Sequence, residues 1–95
     1  MATYRLSREA KADLRQIYRY GFFRHGERQA DKYYEGLFSR FDQIAEQPFM
    51  YQPVDYIHEG YRRSVYGVHA IYYREENGTI EIVRILSRQD ADAIL

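Results

Sequence analysis

The sequence predicts an α+β fold: an N-terminal strand, an antiparallel two-helix hairpin, and a three-stranded antiparallel meander, all forming one sheet-and-hairpin domain. Three observations carry this. Apolar residues recur at helical spacing in two consecutive stretches, and the pattern turns to alternation from Gly60 onward. Between two of the alternating runs stands Asn77-Gly78, the strongest short hairpin signal because both residues tolerate positive φ.

The elements follow in order. Thr3 to Leu6 reads as a short strand with Tyr4 and Leu6 on one face. Ser7 is placed to cap a helix, and Glu9 sits in its first turn, where the dipole favours an acid. Ala10, Leu14, Ile17, Tyr18 and Gly21 then trace an apolar stripe, with Lys11, Asp13, Arg15 and Arg19 turned outward, until Gly26 closes the helix. A second stripe runs through Ala30, Tyr34, Leu37, Phe38, Phe41, Ile44 and Ala45 and stops at Pro48. A connection this short makes the helices antiparallel. Gly21 and Gly36 stand inside them and suggest close approach at those points.

Residues 48–59 hold both prolines and read as a loop whose Phe49, Met50, Tyr51 and Tyr56 cap the edge of the core. Gly60 to Tyr66, Val68 to Arg74 and Thr79 to Leu86 are the expected strands, the last rich in β-branched residues and apolar on both sides of its middle. Strict alternation puts Arg84 on the same side as Ile80, Ile82 and Leu86. Ser87 to Leu95 reads as a polar turn with one helical turn after it.

A chain of 95 residues fits one domain, 1–95, resting on one core. The balance of 14 basic and 14 acidic residues argues against nonspecific nucleic-acid binding, which rewards a basic excess. With no cysteine, disulfides, thiol nucleophiles and cysteine metal sites are excluded. No apolar leader or membrane-length run is present, so a soluble cytoplasmic protein is expected. Aromatics are abundant, with eleven Tyr and five Phe, and suit both a thin core and an interface.

Catalytic patterns are hard to find. His25, His58 and His69 lack a second ligand at a recognised spacing, so no metal and no cofactor is expected. Neither a nucleophile elbow nor a phosphate-cradling glycine loop occurs, and adjacent Glu75 and Glu76 point to opposite faces of a strand. What remains is a set of arginines and aromatics around the meander: Arg62, Arg63, Arg74, Arg84 and Arg88, with Tyr61, Tyr66, His69, Tyr72 and Tyr73. Two readings stay open for it. The arginines are ion-paired, Arg84 with an acid such as Glu81 or Asp90, or they line a site for a phosphate or an acidic partner.

The order of residues adds a resemblance. Leu6-Ser7-Arg8-Glu9-Ala10 through Gln16-Ile17-Tyr18, then Gln29-Ala30-Asp31-Lys32-Tyr33-Tyr34 with Ile44-Ala45-Glu46-Gln47-Pro48, resemble the two helices of ParE-type toxins of the RelE/ParE toxin–antitoxin superfamily. The meander matches in the same order: Glu59-Gly60-Tyr61-Arg62-Arg63-Ser64, His69-Ala70-Ile71-Tyr72-Tyr73-Arg74 and Ile82-Val83-Arg84-Ile85-Leu86.

The resemblance implies a growth-inhibiting toxin silenced by a ParD-like antitoxin, which would occupy the helix hairpin and a sheet edge. Ile17, Tyr18, Tyr20, Phe22, Tyr34, Tyr61 and Tyr72 are the implied antitoxin contacts. ParE-like members look like non-enzymes that bind DNA gyrase and trap its cleaved DNA complex, with no sequence-specific nucleic-acid binding of their own. RelE-like members are ribosome-dependent mRNA endonucleases that need basic residues plus a Tyr or His near the C-terminus. Gln89 to Leu95 contain no Tyr, His or Lys, which favours the ParE branch. An inactive binding module of the same fold is the further alternative. Arg63, Arg84, Ser87, Arg88, Gln89 and Asp90 are the target contacts this branch implies. Ser87 stands where many ParE-like chains carry a His, a departure at the target end.

Overall fold

Ser7 and Gly26 set the limits of the first helix. In the computed structural model, which describes residues 3–87 and Asp90, the Ser7 hydroxyl accepts the Ala10 amide at 2.9 Å, satisfying one of the orphan N–H groups of the first turn. Helix α1 runs Arg8–His25 and α2 runs Glu27–Glu46. Gly26 between them has φ +89°, a conformation closed to most side chains, and its amide bonds back to the Phe22 carbonyl at 3.0 Å. A single-residue joint of this kind leaves the helices no choice but to fold back on each other.

Five strands follow the hairpin or flank it: β1 (Tyr4–Leu6), β2 (Gln52–Pro53), β3 (Arg62–Tyr66), β4 (His69–Glu76) and β5 (Thr79–Ser87), in the order β1-β5-β4-β3-β2. The antiparallel meander is β3 to β5, and its second turn has positive φ at both Asn77 and Gly78, as a two-residue hairpin requires. The sheet is larger than that meander and mixed. β1 pairs in parallel with β5, Tyr4 opposite Ile80 and Leu6 opposite Ile82. A two-residue β2 arises inside the stretch expected to be loop, after a 3-10 turn at Pro48–Met50. Arg62 explains it: its guanidinium donates to the Tyr51 carbonyl at 2.7 Å and draws the next residues alongside β3. Pro53 is tolerated there because β2 is an edge strand.

The main core lies between the hairpin and one face of the sheet, where Ala10, Leu14, Leu37, Phe41 and Ile44 meet Ile71, Tyr73, Ile80, Ile82 and Ile85. A smaller cluster of Val54, Tyr61, Ala70, Tyr72 and Leu86 fills the other face, against Ile57 and Val83. Leu86 is on that second face because β5 carries a bulge. Tyr73 is opposite Ile82 but Tyr72 is opposite Arg84, so Val83 is an extra residue and the alternation inverts beyond it. The expected grouping of Leu86 with Ile80 and Ile82 therefore does not hold. Of the two helix glycines, Gly36 is the one the packing needs. A Cβ there would fall 1.7 Å from the Tyr66 hydroxyl, whereas one at Gly21 would meet Ala30 at an ordinary 3.6 Å.

Candidate functional site

All the buried residues of α1, Ala10, Asp13 and Leu14, lie in its first half. The second half carries Ile17 and Tyr18, partly buried, with Ile17 packed against the main core, and Tyr20, Phe22 and Phe23, exposed. Phe23 is 81% exposed and Tyr20 62%. Exposed apolar surface of this kind is unfavourable by about 25 cal/mol for each Å², and contiguous patches mark interaction sites. Below them is a cavity of about 260 Å³. Ile17, Tyr18 and Tyr20 form one wall, Ala30, Tyr33 and Tyr34 the second, and Val68 of the β3–β4 turn with His69 at the start of β4 the floor. An adjoining groove carries Phe22 and Phe23 with Arg15 and Arg19 at its rim.

Polar groups fix the shape of this face. The Tyr18 hydroxyl donates to Asp31 Oδ1 at 2.5 Å, bridging the two helices, and that bond pushes the phenol up to about 12. Tyr34 meets the Tyr18 ring edge-on at 5.4 Å. At the floor, the Tyr33 hydroxyl donates to the Tyr66 carbonyl at 3.1 Å and lies 2.7 Å from His69 Nδ1. Burial lowers the His69 pKa, against the opposing pull of Asp90 and Asp13, and raises that of Tyr33. Gly67, at φ +56°, makes room: a Cβ there would stand 2.7 Å from the Tyr33 hydroxyl.

The hairpin thus brings together Ile17, Tyr18, Tyr20, Phe22 and Tyr34 from the sequence reading. It does not bring Tyr61 and Tyr72 to them. Both are buried in the cluster on the far face of the sheet, Tyr72 only 1% exposed, because the turn between β2 and β3 closes over them. They are core residues, not contacts on the hairpin face. Tyr33, Phe23, Val68 and His69 also line this face, and the sequence reading did not place them there. The available signal was the run Tyr18-Arg19-Tyr20-Gly21-Phe22-Phe23, aromatic on more sides of a helix than one core can bury.

The arginines of the sheet are tied to internal acceptors. Arg84 forms a two-pronged ion pair with Asp13, Nε to Oδ2 at 2.9 Å and Nη2 to Oδ1 at 3.0 Å, and this bond raises its pKa. Asp13 was expected to face outward and Arg84 to pair with Glu81 or Asp90. Instead Asp13 is buried and also accepts the Ile85 amide at 3.0 Å. Arg84 is therefore an ion-pair residue, its side chain 19% exposed, rather than an open contact. Arg74 pairs with Glu76 and Glu81, as does Arg5. Arg40, from α2, donates to Ser64 Oγ and the Val65 carbonyl, both at 2.8 Å.

Arg63 differs. Its guanidinium donates to the Tyr56 hydroxyl at 3.4 Å, the Tyr72 phenol opposite it on β4 chiefly raises its pKa, and it is partly exposed with no carboxylate partner among the described residues. Ser87 ends β5 half-buried and accepts the Asp90 amide at 3.3 Å, with Asp90 exposed. Arg88 and Gln89 lie outside the described residues, as does most of the expected C-terminal turn. Among the described residues no three His, Cys, Asp or Glu side chains gather as metal ligands would. No helix among them is long and apolar enough to cross a membrane.

Comparison with known proteins bears on what this arrangement does. Residues 4–92 match the family model of the ParE toxin of the type II toxin–antitoxin system parDE. Toxin ParE1 of Caulobacter vibrioides is 44% identical over 86 residues, covering 90% of this chain and 88% of that protein. Toxin ParE1 of Mycobacterium tuberculosis is 37% identical over 91 residues, 94% of this chain and 93% of that one. Among solved structures, a chain of the chromosomal ParDE system from P. aeruginosa superposes with a TM-score of 0.79 at 20% identity, covering 92% of this chain and 96% of that chain.

Proposed function

Because the chain belongs to the ParE toxin family of type II toxin–antitoxin systems, we propose that a ParD-like antitoxin holds it by the α1–α2 face. Released in the cytoplasm, it arrests growth by binding DNA gyrase and trapping the cleaved DNA complex. It acts by binding, not by catalysis.

The observation that carries the first half is the unburied aromatic half of α1 standing over a cavity. Its wall is apolar and Arg15 and Arg19 sit at the rim of the adjoining groove. That combination suits a helix with one apolar and one acidic flank, docked in the groove with an aromatic or aliphatic anchor in the cavity. The second half rests on the resemblance of the meander to ParE-type chains. It is supported by the engagement of Arg40, Arg62, Arg74 and Arg84 with internal carbonyls, hydroxyls and carboxylates, which leaves these cations poorly placed to neutralise a scissile phosphate.

Induced expression without antitoxin should stop growth, and the purified chain added to gyrase, ATP and supercoiled plasmid should accumulate linear, cleaved DNA. Cut mRNA on translating ribosomes with gyrase unaffected would instead make the chain an mRNA endonuclease. Unimpaired growth would leave only an inactive binding module.

A further inference from the structure

The bulge at Val83 interrupts the ladder between β4 and β5 just before the end of the chain implied to meet the target. On the opposite edge of β5, where its pairing with β1 stops at Leu6, the start of α1 takes over. The Ser7 amide donates to the Ile82 carbonyl at 3.0 Å, and the Ser7 hydroxyl to the Val83 carbonyl at 2.7 Å. Asp13 then takes both prongs of Arg84 and the amide of Ile85. Four consecutive residues of β5, from Ile82 to Ile85, are thus fastened to one end of one helix.

We propose that Asp13 is a positioning residue: it sets the course of β5 beyond the bulge, and thereby the presentation of Ser87 at the end of β5, without contributing to antitoxin binding. Its last step rests on the proposed action on a cellular target. Stability alone does not call for this arrangement, since well-packed apolar residues commonly replace a buried ion pair without loss. A planar carboxylate gripping a guanidinium fork and the next amide gives direction instead, because it fixes the orientation of two successive peptide units. Ser87 carries that direction onward through its bond to the Asp90 amide. The residues of α1 that line the hairpin cavity begin at Ile17, one turn beyond Asp13.

Asp13→Asn removes the charge and keeps the shape. Ile44→Val, a core change of modest cost, serves as the stability control. Amide exchange at residues 83–87 should speed up by about tenfold or more in Asp13→Asn while α2 amides change far less. Growth arrest on induction should fall well below that of Ile44→Val, and affinity for a ParD-like antitoxin should stay within about threefold. Arg84→Lys keeps the charge but loses the fork, and gives the same reading should Asp13→Asn fail to fold. Unchanged exchange at 83–87 overturns the positioning role. Toxicity equal to the control, or antitoxin affinity lost in step with toxicity, overturns its link to function. If the unaltered chain does not arrest growth, the proposed function fails, and the exchange result still decides the positioning role.

Discussion

On the far face of the sheet, Tyr61 and Tyr72 are packed under the turn between β2 and β3, and Arg63 donates to the Tyr56 hydroxyl there. On the hairpin, Tyr20, Phe22 and Phe23 stand in water beside Arg15 and Arg19. Aromatics and arginines make up both surfaces, yet Tyr61 and Tyr72 are buried while Tyr20 and Phe23 are largely exposed. Residue type alone does not separate a core cluster from a docking face; what separates them is whether the chain has another segment to lay over it. The sheet has residues 54–60 for that purpose, while among the described residues nothing buries Tyr20 and Phe23 of α1.

The largest effect that could break this contrast is on the hairpin. Tyr20→Asp combined with Phe22→Asp should weaken antitoxin binding by about a hundredfold or more, as loss of central aromatic anchors does. Both residues are exposed, so the melting temperature should hardly move. Calorimetric titration beside a thermal melt reads both quantities, and unchanged affinity would remove the hairpin from the interface.

Next comes Arg84→Ala, which strands the buried Asp13 carboxylate and should cost about 2–3 kcal/mol in urea unfolding. Arg15→Ala, on the hairpin rim, should stay within about 0.5 kcal/mol. Equal losses would mean that the arginines of the two surfaces are not held differently. Gly67→Ala follows: it forces a side chain into positive φ and against the Tyr33 hydroxyl, so a loss of about 1–2 kcal/mol is expected.

The smallest effect concerns pH. Burial depresses the folded-state pKa of His69 below its ordinary 6.5, so below that value the unfolded chain binds the proton more readily. The His69 contribution is complete above about pH 6.5 and is lost as pH falls through the depressed folded value. Melting temperatures between pH 5 and 7 should decline less steeply toward acid in His69→Gln than in the unaltered chain.

Much of the fold was legible because local chemistry dictates it. Ser7, Gly26, Pro48 and Asn77-Gly78 each mark a boundary through a cap, a positive φ or a missing N–H, and the structure uses each of them. What escaped depends on distant partners. The parallel pairing of β1 with β5 joins residues 76 apart in sequence. The bulge at Val83 leaves no composition signal, and it moved Leu86 to the other face. Asp13 looked like a solvated helix residue because its partner lies 71 residues away. The hairpin half of the candidate site was readable from its excess of aromatics. The sheet half was not, because burial of Tyr61 and Tyr72 depends on a turn that periodicity does not describe.

Amide exchange of the chain, alone and bound to its antitoxin, tests the contrast most directly. Protection on binding is expected to concentrate in residues 17–25 of α1, 29–34 of α2 and the β3–β4 turn, with little change at 61–63 and 72–74. Protection confined to the outer face of the sheet, with the second half of α1 exchanging as freely as before, would contradict it.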